Sequence, residues 1–267
     1  MSLQAPSVVF WRTLIAALTM GLWLALRRPA ILRFSRRDAT KAIGVGVIIA
    51  FHWICFFASI ELANVSVALA GFAATSFFTA FTEPAILGRR IRALEVVLGL
   101  IAAAGIALIV GLESEYMLGM AVALLGALLA AIFPVLNHRL VNRGLPSRGL
   151  LVYEMTGACL TSALFIAAVP GVPFQVPTPG DWVPLLVLAL ACTVFAHTMH
   201  IHLLRRISAY TSNLAINFEP VYGIIMAALI FHEHKDLHPG FYLGALTIIA
   251  ANVIQPILDR RRARPVQ

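Results

Sequence analysis

The sequence predicts an all-α integral membrane protein, a helical bundle of about nine transmembrane helices that reads as a 4+5 remnant of a 5+5 inverted repeat. Three observations carry this expectation. Of 267 residues, 60% are hydrophobic and only 12% charged, with a mean hydropathy of +0.90, far from the balance of a soluble domain. Nine apolar stretches approach the about 20 residues that a spanning helix needs. Two stretches in different halves share one pattern while their turns carry opposite charge character.

In chain order the predicted spans are 8–26, 42–62, 67–88, 94–111, 117–136, 150–169, 182–204, 211–231 and 239–257. The N-terminus MSLQAPSVVFW has neither a basic leader nor a small-residue cleavage site, so insertion is expected to rely on the spans themselves. Basic residues set the orientation. If the first span runs from outside to inside, the inner connections collect 18 of the 20 Lys and Arg, leaving Arg12 and Lys235 on or toward the other side. The net charge of +8 therefore fits a membrane topology and not a nucleic-acid partner. The connection PGVPFQVPTPGDW has no base and is stiffened by Pro170, Pro173, Pro177 and Pro179, as suits an outer loop. The expected location is the cell inner membrane, with the N-terminus outside and the C-terminus cytoplasmic. Cys55, Cys159 and Cys192 lie inside apolar spans without motif spacing and are expected to pack, not to bind zinc or form disulfides.

The phrase ASIELANVSVALAGFAATSFF resembles LLRRISAYTSNLAINFEPV, each being a helix end, a turn of small polar residues and another apolar helix. After each come a charged turn (GRRIR, then HEHKDLH) and a Gly-rich helix (GLIAAAGI, then GALTIIAAN). Arg205 and Arg206 stand opposite a turn with no base, while Arg89, Arg90 and Arg92 stand opposite His232, Glu233, His234 and Asp236. Equivalent turns are thus expected on opposite membrane faces, the mark of an inverted-topology repeat. The repeats are expected at 1–112 and 113–258, with a basic tail at 259–267. Four helices in the first half against five in the second suggest a helix missing before Pro6.

With FWRTLIAAL opening the first helix, TSFFTAFTEP in the third, and RRISAYTSNLAINFEPVYGIIMAALIFHEH followed by PGFYLGALTIIAAN, the chain resembles the drug/metabolite transporter superfamily, specifically the EamA family of ten-helix permeases. The most specific likeness is the order of small-residue turn, Glu219-Pro220 and Glu233 thirteen residues after the proline. Two departures are the absent first helix and Phe77, where many relatives have a proline matching Pro220. The resemblance implies two five-helix repeats around a central cavity and secondary export of small metabolites such as amino acids, by alternating access and without enzymatic chemistry. The readings from other classes are a non-transporting membrane scaffold or subunit and an intramembrane enzyme using His197, His200 and Glu219. Against the enzyme, the chain has neither G-x-S-x-G nor H-E-x-x-H.

Candidate substrate contacts are polar or aromatic groups placed where hydrocarbon would penalise them. On the third span Gly71, Thr75, Thr79 and Thr82 share a face at helical spacing, with Phe78 and Glu83 close by. The threonines can line a cavity or bond back to their own helix, and Glu83 can pair with Arg89 or Arg90 or take part in gating. Asn213 and Asn217 share a face, while Glu219 falls roughly 200° from Asn217 on one continuous helix, beside Tyr222 and Met226. Pro220 removes a backbone donor and can act as a hinge. Thr193, His197 and His200 form a stripe with His202 turned away, and His52, Cys55 and Ser59 form its counterpart next to Trp53. Tyr153 and Glu154 open the sixth span, where pairing of Glu154 with Arg148 is expected. Arg12 can snorkel to the surface, and the resemblance adds a contact to an anionic substrate group. The small residues Gly119, Ala123 and Ala127 read as a helix-packing face. No cofactor or metal is expected. The expected partners are a small-molecule substrate and the lipid bilayer, with pairing to a second copy left open.

Overall fold

The computed structural model describes residues 1–112, 114–216, 219–232 and 238–262. Its helices are α1 (Ala5–Arg27), α2 (Arg36–Leu62), α3 (Val65–Phe72), α4 (Thr75–Leu87), α5 (Ala93–Leu112), α6 (Met117–Val141) and α7 (Ser147–Ala168). A short α8 (Trp182–Leu186) leads into a π-helical segment (Val187–His197) and α9 (Thr198–Leu203). Then come α10 (Ala209–Ile216), α11 (Glu219–Ile230) and α12 (Pro239–Arg262). Six helical stretches among the described residues are long and apolar enough to cross a membrane. The other three predicted spans coincide with α5, with α10 and α11, and with α12. The chain is a multi-pass, all-α membrane protein. Because α12 runs to Arg262, the first residues of the predicted basic tail are helical instead.

Local chemistry explains the boundaries. Pro6 sits in the first turn of α1, where its missing N–H costs nothing. Ser35 accepts from the Asp38 amide at the start of α2, and Asn64 accepts from Val67 at 2.9 Å to start α3. Gly88, at φ +71°, ends α4 in the left-handed conformation that glycine adopts without strain. Between α3 and α4 the Ala74 amide bonds the Gly71 carbonyl, three residues back, interrupting the α ladder at Ala73 and Ala74.

The chain divides into two compact units, Met1–Phe57 with Leu136–Ile207, and Ala58–Val135 with Ser208–Gln267. In the first, α1 lies along α7; in the second, α3 packs on α11, α4 on α10 and α5 on α12. Helices equivalent in the sequence repeat are therefore packing neighbours. Close approach depends on missing side chains. A Cβ on Gly46 of α2 would collide with the backbone oxygen of Glu154 on α7, and one on Gly157 would strike the Ile43 carbonyl. In the second unit, a Cβ on Gly71 would come 2.6 Å from that of Ala123, and one on Gly119 would come 2.6 Å from that of Ala63. The predicted small-residue face of α6 thus takes α3 at Ala123 and, at Gly119, the chain at Ala63.

At one end of the first unit the N-terminus is tied to the loop before α8. Asp181 accepts from the Ser2 amide at 2.7 Å, the Ser2 hydroxyl at 2.6 Å, and both the amide and hydroxyl of Thr178. Trp11, Phe174 and Trp182 cluster beside it. Replacing Asp181 with Ala should lower the unfolding temperature in detergent and expose residues 1–4 to protease, as limited proteolysis will show. The opposite end gathers the bases: Arg205 donates to the Leu145 carbonyl, and His138 Nδ1 lies 2.8 Å from the Leu204 carbonyl.

Candidate functional site

The first unit holds a cluster of buried polar groups that an apolar bundle would otherwise avoid. Arg12 is only 7% exposed, so it does not snorkel as expected. Its guanidinium lies 3.7 Å from the centroid of Trp53, and its Nε donates to Thr193 Oγ1 at 2.7 Å. Stacking a cation on an indole offsets part of its desolvation. The hydroxyl of Thr193 in turn donates to the Leu188 carbonyl five residues back, the spacing of the π segment. Local π geometry often marks functional sites.

Glu154 is fully buried, and its Oε2 accepts from His197 Nε2 at 3.0 Å. The expected pairing with Arg148 is therefore wrong. Six residues along a helix turn a side chain by about 240°, so Arg148 and Glu154 never shared a face. Trp53 meets the His197 ring edge-on, at 6.2 Å between centroids, and joins the acid–imidazole pair to the Arg12 stack. His52 is buried on the same helix as Trp53. Tyr153, next to Glu154, points elsewhere: its hydroxyl donates to the Leu32 carbonyl at 2.8 Å and its ring stacks on Phe34.

The second unit holds a separate polar set. Asn213 Nδ2 donates to Thr79 Oγ1 at 2.7 Å, and both are buried. Thr75 and Thr79 also donate back to Phe72 and Thr75 carbonyls of their own stretch, whereas Thr82 crosses to the Ala131 carbonyl. Thr75, Thr79 and Thr82 keep helical spacing along α4, whereas the interruption at Ala73 and Ala74 sets Gly71, on α3, apart from them. Phe78 stays partly buried beside Phe77. Glu83 is buried, with Oε2 accepting from the Tyr210 amide at 2.9 Å and Oε1 3.5 Å from Arg89. It caps the first turn of α10, which the sequence expectation of a simple pair with Arg89 did not include. Glu83→Leu should cost about 1–3 kcal/mol, as expected when a buried amide loses its acceptor, and thermal unfolding will measure it.

Glu219 and Tyr222 lie on α11, both exposed. Asn217 lies outside the described residues, as do 233–237 of the predicted outer turn; Pro220 is helical, and its side chain is likewise outside them. Among the described residues no group of three or more His, Cys, Asp and Glu side chains is placed to hold a metal.

Helices that pack as repeat equivalents in a multi-pass, all-α bundle define the class of two-repeat helical membrane proteins. The chain belongs to the EamA-like transporter family, which it matches over residues 2–111 and again over 117–254. A protein of known crystal structure is similar in fold, with 17% identity and a TM-score of 0.68 over 97% of this chain and 90% of that one. No curated protein sequence matches.

Proposed function

We propose that the chain is a secondary transporter of the cell inner membrane that exports small metabolites such as amino acids by alternating access, with its C-terminus in the cytoplasm and no catalysis of its own. The observation that carries this reading is the buried cluster of Arg12, Trp53, Thr193, His197 and Glu154 in the first unit. A cation and a carboxylate held in hydrocarbon mark a solute site more often than a structural one. Arg12 supplies donors for the anionic group of a metabolite, Trp53 an aromatic wall, and the Glu154–His197 pair an acceptor for its cationic group.

Family membership supports transport as the activity. The distribution of bases supports the orientation, since the ends of α1, α6 and α9 and the starts of α2 and α7 carry them. Reconstituted in vesicles, the protein should catalyse saturable counterflow of at least one labelled metabolite from a panel of amino acids and related zwitterions. Absence of flux across the panel overturns the reading. In the same assay Asn213→Leu should keep its counterflow while losing about 0.6–1.7 kcal/mol of stability, the range for interhelical polar contacts in membranes.

A further inference from the structure

A cavity in the first unit takes no part in this scheme. It has a volume of about 610 Å³ and opens at the base-rich end, lined by Trp23 of α1, Ser147 and Arg148 of α7, and Phe195, Met199 and His202 of the π segment and α9. The lining is two-sided in chemistry. Met20, Phe195 and Met199 form an apolar trough, and exposed Leu22 and Leu26 continue the apolar face of α1 beside it.

The polar end is built to receive an anion. Arg148 lies over the Trp23 ring at 5.4 Å and makes no ion pair among the described residues. Ser147 is 9% exposed and lines the cavity, and its hydroxyl bonds no described residue. Pro146, at the N-cap of α7, has no side chain able to cap the helix. Among the described residues no side chain caps the first turn of α7, and the helix dipole at this end favours negative charge. A soluble phosphate would satisfy this end and leave the trough uncovered. A neutral lipid chain would fill the trough and leave Arg148 and Ser147 without an acceptor.

We propose that this cavity binds one anionic phospholipid, its phosphate held by Arg148, Ser147 and the α7 N-terminus, and an acyl chain lying along Met20, Phe195 and Met199. The inference rests on the membrane placement of the bundle and is independent of which solute is carried, so a failed counterflow assay leaves it standing.

The test is tryptophan quenching of the full-length protein in vesicles containing brominated phosphatidylglycerol or brominated phosphatidylcholine. The wild type should prefer the anionic lipid roughly fivefold, the effect of one basic residue at a lipid surface. In Arg148→Gln that preference should fall to about one, with quenching by phosphatidylcholine unchanged, which shows that the groove is intact. Trp23→Phe should lack the lipid-selective component of quenching. Equal quenching of the wild type by both lipids overturns the proposal, as does a preference that survives Arg148→Gln. Loss of the preference on adding soluble glycerol phosphate also overturns it, because the site would then take the free phosphate ester.

Discussion

Arg12→Gln should lower counterflow about 10- to 100-fold, the loss expected when a charge-assisted hydrogen bond of about 1.5–3 kcal/mol to the transported solute is removed. Glutamine can still reach Thr193 and lie near Trp53, so the fold should survive and detergent-solubilised protein should elute as the wild type does. The charge is what the variant removes. Arg12→Lys separates charge from shape: lysine keeps the cation but has neither the planar face that stacks on Trp53 nor the fork geometry that bonds Thr193 and an anion together. Its flux should fall between those of wild type and Arg12→Gln. Wild-type kinetics in Arg12→Gln would remove Arg12 from the site and leave it a packing role.

Gly46→Val should yield little folded protein. The backbone oxygen of Glu154 occupies the place where a side chain would begin, and a backbone oxygen cannot swing aside. Overpacking against a flexible side chain costs about 1–3 kcal/mol; here α2 and α7 must separate, and the cost should lie at or above the top of that range. Separation also displaces Trp53, two turns further along α2, from the His197 ring that it meets. Gly44 is the control. A side chain there meets nothing within 4 Å, so Gly44→Ala should be neutral or slightly stabilising through helix propensity. Thermal unfolding of both variants in one detergent compares them directly, and equal stability would contradict the close-approach account.

The spans were legible because a membrane imposes length and apolarity on every crossing, and nine such runs stand out between clusters of arginine. The repeat was legible for a related reason: both halves order a turn of small polar residues, an apolar helix, a charged turn and a Gly-rich helix, and the family matches the chain twice. Pairwise contacts were not. The partner of Glu154 is 43 residues away, at His197, and no local pattern links them, although the helical angle already argued against Arg148. The role of Thr193 depends on π geometry, which shifts which carbonyl its hydroxyl reaches. Nothing in the sequence sets Gly46 and Gly157 apart from other glycines of apolar spans, and only the close approach of α2 and α7 shows why nothing larger fits. Glu83 was read by proximity in sequence to Arg89, whereas its shorter bond is to the start of α10, 127 residues on.

The central claim is that the Arg12–Trp53 stack and its neighbouring Glu154–His197 pair hold the transported solute. Equilibrium binding of the metabolite identified by counterflow, measured on purified wild-type, Arg12→Gln and Trp53→Leu proteins, tests it most directly. The account predicts Kd raised at least about tenfold in both variants, since each loses a contact of charge-assisted or aromatic strength, with folded yield retained. Unchanged Kd in both folded variants would contradict it and place the solute elsewhere in the protein.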